Sequence, residues 1–513
     1  MKKLYSILAI LIIFKSSVFA QVLTQTKIHN DSLAMVKQSM STIEFCNLAI
    51  KSAKQTNKLG LAHIYLIRGS AEYQLKHYTK AVSDYTLSIS YYPELGDTYV
   101  SRAIAYEKLN ESGRVIEDYK SAIPYLNLDN DHKAVLFNNM ARAYSRLQQY
   151  ENSVNADSVA ISLSPKFGTA YLTRAEAYGR WGKYQLSIND LNIAAYAFQN
   201  NAQLLSTIYE ERGNMKRALK QNLEAINDFS FAIKLRPDNK AAYWNRAACY
   251  RENGDYQLAD EGYTKAIEYF KNDPKSLARL YDDRALMETG LQQYAKAIAD
   301  ESTAIGLNTG LQSVYYNRAN AYAQNGDYEL SNADFIKAIE VYKDNSPAKA
   351  AIYSAIAHNE YFLKQYKQDV DNCTLAITLN KTDWSPYMER GRAYMKLMNK
   401  ELAINDFKQV LVLDTSKRSA DYAFSLYYTG NADKAVEVMK SGLISTNDSY
   451  TMMANYYNMA CLFFLMNKNE QAYVYLKKCI DGGYPKRYAL NDADFDNIRS
   501  TDDFISIMGN SNK

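Results

Sequence analysis

The chain has 513 residues, 47% of them hydrophobic, with 8 prolines and no Gly-, Pro- or Ser-rich run to mark a linker. That is too long for one ordinary core, yet the apolar spacing is helical nearly throughout. Lys and Arg number 60 against 56 Asp and Glu, a net charge of +4, which argues against nucleic acid as the main partner because phosphate binding needs a concentrated basic footprint.

At the N-terminus, Lys2 and Lys3 precede an apolar stretch from Leu4 to Phe14, and Val18 and Ala20 sit just before Gln21. This predicts a cleaved secretory signal over residues 1–20. The mature chain would then start near Gln21 and reside in the periplasm, at the outer membrane or outside the cell. The apolar stretch is shorter than the ~20 residues that cross a bilayer, and no later stretch reads as a transmembrane segment. Cys46, Cys249, Cys373, Cys461 and Cys479 are odd in number and widely spread. They read as buried small hydrophobes rather than as a disulfide framework. Residues 21–61 are expected to form N-terminal capping helices, with "FCNLAIKSA" from Phe45 as a lone second helix.

From residue 62 one phrase recurs ten times, as in "RGSAEYQLKHYTKAVSDYTLSI" from Arg68 and "RANAYAQNGDYELSNADFIKAI" from Arg318. Its leading residues are Arg68, Arg102, Met140, Arg174, Arg212, Arg246, Arg284, Arg318, Ile356 and Arg390. Gly or Ala follows each directly, and a second small residue stands twenty places on, with Ser88 and Val410 as variants. Small residues at fixed offsets let two helices approach closely, and a fixed period is the mark of a repeat architecture.

The R-G/A-x-A-Y phrase, the Tyr before A-I-x-D and the closing Pro93, Pro165 and Pro237 resemble the tetratricopeptide repeat family. The resemblance implies an all-α right-handed solenoid of antiparallel helix pairs whose concave face binds proteins or peptides. The family's carboxylate-clamp positions hold Leu66 and Ser70, Val100 and Ile104, and Asn138 and Arg142 here, so that activity is not carried over. Ten repeats are expected over 62–415, two divergent repeats over 416–481, and a C-terminal cap over 482–513. In that cap Phe495, Ile498, Phe504 and Ile507 would close the last apolar face.

Successive repeat starts, at 62, 96, 134, 168, 206, 240, 278, 312, 350 and 384, differ by 34 and 38 residues in unbroken alternation. The repeating unit is therefore a pair of 72 residues. The four additional residues fall before alternate first helices, where Pro274 and Pro347 suit a first helical turn. Four residues are about one turn, since a turn takes ~3.6.

Sixteen residues after Arg68, Arg102, Arg174, Arg212, Arg284, Arg318 and Arg390 stand Asp84, Asp118, Asp190, Asp228, Asp300, Asp334 and Asp406. Met140 and Ile356 instead face Ala156 and Asn372, and Arg246 faces Gly262. This covariation within one chain predicts structural ion pairs between the two helices of a repeat, because a partly buried charge is usually paired.

No pattern for catalysis appears. The five histidines, His29, His63, His77, His132 and His358, lack partners at metal-ligand spacing, and no glycine-rich phosphate loop occurs. Asp492, Asp494, Asp496 and Asp503 trace a calcium loop imperfectly, since its turn glycine is Asn497. No cofactor, no metal and no enzymatic activity are expected. Ligand contacts are placed on the first helices, two residues before and after the arginine row and further along. The set is Lys108, Asn138, Arg142, Arg146, Arg180, Trp244, Arg251, Tyr316 and Asn320. Its basic half suggests an acidic protein or peptide partner, while Tyr316, Tyr361, Phe362 and Met388 suggest packing against extended peptide. The alternative reading is recognition of glycan or cell-wall material through the same groove.

Overall fold

The computed structural model describes residues 32–53, 57–307, 310–311, 313–342, 345–444, 449–492 and 495–509. The expected signal over 1–20 and the first part of the N-terminal cap lie outside the described residues. Every regular element among them is helical, and there is no strand. The chain divides into two units, 1–242 and 243–513. Within each, a helix packs mainly on those directly before and after it in sequence.

The 72-residue period is written in helix length. First helices Lys58–Gln74, Asn130–Arg146, Ala202–Ala218, Pro274–Gly290 and Ser346–Phe362 each have 17 residues. The intervening ones, Gly96–Lys108, Gly168–Arg180, Lys240–Asn253, Ser313–Asn325 and Ser385–Lys396, have 12 to 14. The four additional residues thus add one N-terminal turn. Each long helix opens on an Asn or Asp side chain that accepts from a backbone N–H of its first turn. Asn57 accepts from Gly60, Asp129 from His132, Asn201 from Leu204, Asp273 from Ser276 and Asn345 from Ala348. Such a cap is worth ~1 kcal/mol.

Two helices of a repeat meet where a ring sits on a small residue. An added Cβ on Gly69, Gly213 or Gly391 would come within 2.8, 2.8 and 2.6 Å of the Tyr85, Phe229 and Phe407 rings respectively. In other repeats Ala103, Ala175 and Ala319 fill that place, fully buried. Phe229, Phe335 and Phe407 are buried completely, each contributing on the order of 2–3 kcal/mol through burial. A left-handed residue reverses the chain between the helices, at φ 62° for Lys76, 77° for Gly182, 94° for Gly326 and 61° for Met398. Only at the glycines is that backbone free of steric cost.

Two further helix pairs follow the tenth repeat, Ala420–Tyr428 with Ala432–Ile444 and Ser449–Leu465 with Asn469–Asp481. Phe495, Ile498, Phe504 and Met508 bury themselves in one cluster with Tyr457, Phe464 and Leu476, and Ile507 packs at its edge. All five cysteines are buried and free.

Candidate protein-binding face and its arginine framework

The arginine row is a repeated two-sided joint. Arg318 Nε donates to Asp334 Oδ2 at 2.5 Å and Nη2 to Asp334 Oδ1 at 2.9 Å, a fork between the helices of one repeat. The same fork joins Arg68 to Asp84, Arg102 to Asp118, Arg174 to Asp190, Arg212 to Asp228, Arg284 to Asp300 and Arg390 to Asp406. The aspartates are buried. Their hydrogen bonds hold Arg174, Arg212, Arg284 and Arg318 above the ordinary guanidinium value, against desolvation. Each guanidinium also lies over the Tyr three residues earlier, 4.8 Å from the Tyr209 centroid for Arg212 and 5.9 Å from Tyr315 for Arg318.

The remaining nitrogen reaches back to the preceding helix pair. Arg102 Nη1 donates to Thr86, Arg174 to Ser158, Arg212 to Asn192, Arg284 to Thr264, Arg318 to Ser302 and Arg390 to Thr374, at 2.7 to 3.0 Å. Sequence reasoning missed these acceptors, although their signal is plain once sought. The equivalent place holds Lys120 ahead of Met140 and Ile336 ahead of Ile356. Neither of those is an acceptor, and neither following repeat offers an arginine.

Ligand positions two residues before the row behave differently from the expectation. Asn138 is buried, and its Nδ2 donates to Asp157 Oδ1 at 2.7 Å. Trp244 Nε1 donates to Asp283 Oδ2 at 3.0 Å, and Tyr316 tilts against Phe335 with centroids 5.7 Å apart. Tyr361 and Met388 are buried. The physical reason is what faces these side chains inside the fold: the Phe335 ring against Tyr316, the Phe407 ring in one cluster with Met388, buried Asp157 against Asn138, and the Arg392 guanidinium and Tyr366 ring against Tyr361. Asn138, Tyr361 and Met388 therefore leave the ligand-contact set, while Trp244 and Tyr316 stay half-buried and Asn320 likewise.

Positions further along the first helices stay in water. Lys108, Arg142, Arg146, Glu176 and Arg180 are exposed. Arg146 Nη2 lies 2.9 Å from Glu107 Oε1 and Arg142 Nη2 3.7 Å from the same oxygen, while Arg180 pairs with Glu176 at 2.6 Å. Arg251 pairs with Asp283 at 2.6 Å. The expected basic track is thus a ladder of mixed charge. Exposed pairs of this kind contribute only ~0–1 kcal/mol each, so a ligand exchanges with them readily.

Several carboxyls are buried beneath this face. Asp157 and Glu301 occupy the slot where Tyr85, Phe229 and Phe335 put their rings. Burial pushes Asp157 up to about 8, opposed by the Asn138 hydrogen bond. Burial and then neighbouring Asp282 push Glu301 up to about 10. Near the far end, burial acts to raise Glu389, yet His358 and Arg392 overcome it and hold it at about 2. Among the described residues no group of three or more His, Cys, Asp or Glu is arranged to hold a metal ion. Asp494 of the imperfect calcium loop lies outside the described residues.

The tetratricopeptide repeat family model matches residues 241–273, 312–345 and 454–481. Those three segments are similar to repeats of that family. The chain is 23% identical over 388 residues to a DnaJ homolog subfamily C member 7 homolog from Schizosaccharomyces pombe, covering 70% of this chain and 78% of that protein. It is 26% identical over 282 residues to the human mitochondrial import receptor subunit TOM70, covering 52% of this chain and 38% of that protein. It is 25% identical over 291 residues to the human protein O-mannosyl-transferase TMTC3, covering 53% of this chain but only 30% of that protein. Among solved structures, a tetratricopeptide repeat protein from Parabacteroides merdae has 19% identity and a TM-score of 0.37, covering 51% of this chain and 98% of that one. Yeast Tom70 has 15% identity and a TM-score of 0.32, covering 84% and 98%.

Proposed function

We propose that the chain is an exported, non-enzymatic scaffold that holds protein or peptide segments against the first-helix faces of its repeats. The observation that carries this reading is the exposed row Lys108, Arg142, Arg146 and Arg180 on successive first helices. Forks at Arg102 and Arg174 and apolar packing around Met140 hold the three helices in place, so the row is a preorganised surface, and preorganisation lowers the ordering cost of binding. Relatives that include a mitochondrial import receptor subunit are consistent with polypeptide ligands. Export rests on the basic and apolar N-terminal segment before Gln21.

Capture from cell-envelope extract on immobilised full chain tests the ligand class. Polypeptide is the expected catch, and polysaccharide alone would replace this reading with the glycan alternative. N-terminal sequencing of the mature protein tests export, with Gln21 expected first. Because Glu107 and Glu176 already neutralise part of the row, reversing Arg146 and Arg180 to Glu should slow association about threefold at low salt and not at high salt.

A further inference from the structure

The C-terminal cap has two sides with different chemistry. One side is apolar, with Phe495, Ile498 and Phe504 buried against the last helix pair. The other reaches far back along the chain within the second unit. The Arg487 guanidinium lies 4.9 Å from the Tyr294 ring centroid, and its Nη2 donates to Tyr294 Oη at 3.3 Å. Tyr488 Oη donates to Gln324 Oε1 at 2.5 Å. Asp496 Oδ2 receives Lys364 Nζ at 3.0 Å, and Asp492 Oδ1 lies 3.8 Å from Arg392 Nη2. Partners are therefore up to 193 residues apart in sequence.

Those four partners come from four successive repeats. Gln324 stands six residues past Arg318, the register that holds Arg146 and Arg180 in the first unit, and Arg392 stands two past Arg390. Gln324 and Arg392 thus stand at registers equivalent to those proposed to meet ligand, while Tyr294 opens a second helix and Lys364 sits in the turn after a first one. It also offers what a bound peptide would offer, namely a cation stacked on an aromatic ring, a phenol on an amide and two carboxylates on basic side chains. Its weakest grip on that side is the Lys364–Asp496 pair, whose side chains remain 52% and 40% exposed, whereas those of Arg392 and Asp492 are 22% and 8% exposed. Its apolar side holds it in place independently.

We propose that Tyr294, Gln324, Lys364 and Arg392 form a peptide-docking surface whose resident occupant is the polar side of this chain's own C-terminal cap. The inference rests on the reading of the first-helix faces as protein-binding. The partner segment it takes carries the same chemistry, with Arg or Lys beside an aromatic residue and acidic residues four to nine positions later. Such a segment displaces the polar contacts while the apolar side stays docked, so binding here requires competition with the cap.

The test uses the full chain with Arg487→Ala, Tyr488→Phe and Asp496→Asn together, which spare the buried apolar anchors. The probe is a fluorescent synthetic peptide of residues 484–499, read by anisotropy. The released variant should bind it at least tenfold more tightly than the parent chain does. Adding Tyr294→Ala and Lys364→Ala to the released variant should abolish that gain. Equal affinity in parent and released variant overturns the proposal, and so does absence of binding to a released variant whose circular dichroism is unchanged. Capture of polypeptide by the parent chain alongside either of those results would leave the scaffold reading standing while removing the docking surface.

Discussion

In the first unit the far ends of the first helices carry Lys108, Arg146 and Arg180 into water, whereas in the second the equivalent register at Gln324 is already in contact with Tyr488. The repeat framework beneath is the same in both. Forks at Arg102 and Arg174 in one match forks at Arg318 and Arg390 in the other. The difference teaches that spacing and surface are set by separate residues. Small residues, rings and forks fix where each helix stands, so the outward positions vary without disturbing the stack.

The sharpest break of that framework comes from unpairing one fork. Asp334→Ala leaves Arg318 partly buried beside apolar groups, with an expected loss of ~2–4 kcal/mol. The double change Arg318→Met with Asp334→Ala imitates Met140 and Ala156, a repeat that the first unit already contains. It should recover most of the loss in urea unfolding. A double variant as unstable as Asp334→Ala would show that the fork is not a pair but two separate structural needs.

The buried acids give a smaller and pH-dependent contrast. Glu301 in the second unit is pushed up to about 10 by burial, and Asp157 in the first to about 8. Both folded values lie above those of the unfolded chain, ~4 for such carboxyls. The folded state therefore holds protons that the unfolded state releases. Stability from these groups is complete below pH ~4 and is lost as pH rises, through the window up to about 8 for Asp157 and about 10 for Glu301. Glu301→Gln should raise stability at pH 8 by on the order of 2 kcal/mol and flatten the alkaline slope. Asp157→Asn should raise stability at pH 8 by a comparable amount, since its window is complete by then, and should flatten the slope only below pH ~8. Thermal melts across pH 5 to 9 check both, and an unchanged slope in both variants would mean that these carboxyls are ionised in the fold.

Much of the framework was legible because its partners sit at fixed short spacings. The small residue beside each leading residue and the Asp sixteen places on are local facts of one repeat. The helix caps at Asn57, Asp129, Asn201, Asp273 and Asn345 recur every 72 residues and were just as readable, but only the prolines near them drew notice. The site was less legible. Helical spacing puts Asn138 and Met388 on the ligand face, but it reports a direction and not what reaches them from the opposite helix, Asp157 in one case and the Phe407 ring in the other. The contacts of Arg487 and Tyr488 with Tyr294 and Gln324 depend on how many repeats stack before the cap. No local pattern encodes that.

The smallest effect tests the turns that join the paired helices. The first unit places Gly182 at a turn with φ 77°, where a glycine adopts the left-handed backbone without a clash. The second unit asks Met398 to do the same at φ 61°. That side chain is 83% exposed, so little packing is lost with it. Met398→Gly removes the Cβ clash, worth ~1–2 kcal/mol, but adds freedom to the unfolded chain worth ~0.5–1 kcal/mol. The net expectation is a gain of ~0.5–1 kcal/mol in urea unfolding, with no change in ligand capture. Gly182→Met should show the reverse sign at similar size. If both changes destabilise, the turns are held by contacts of the side chain itself.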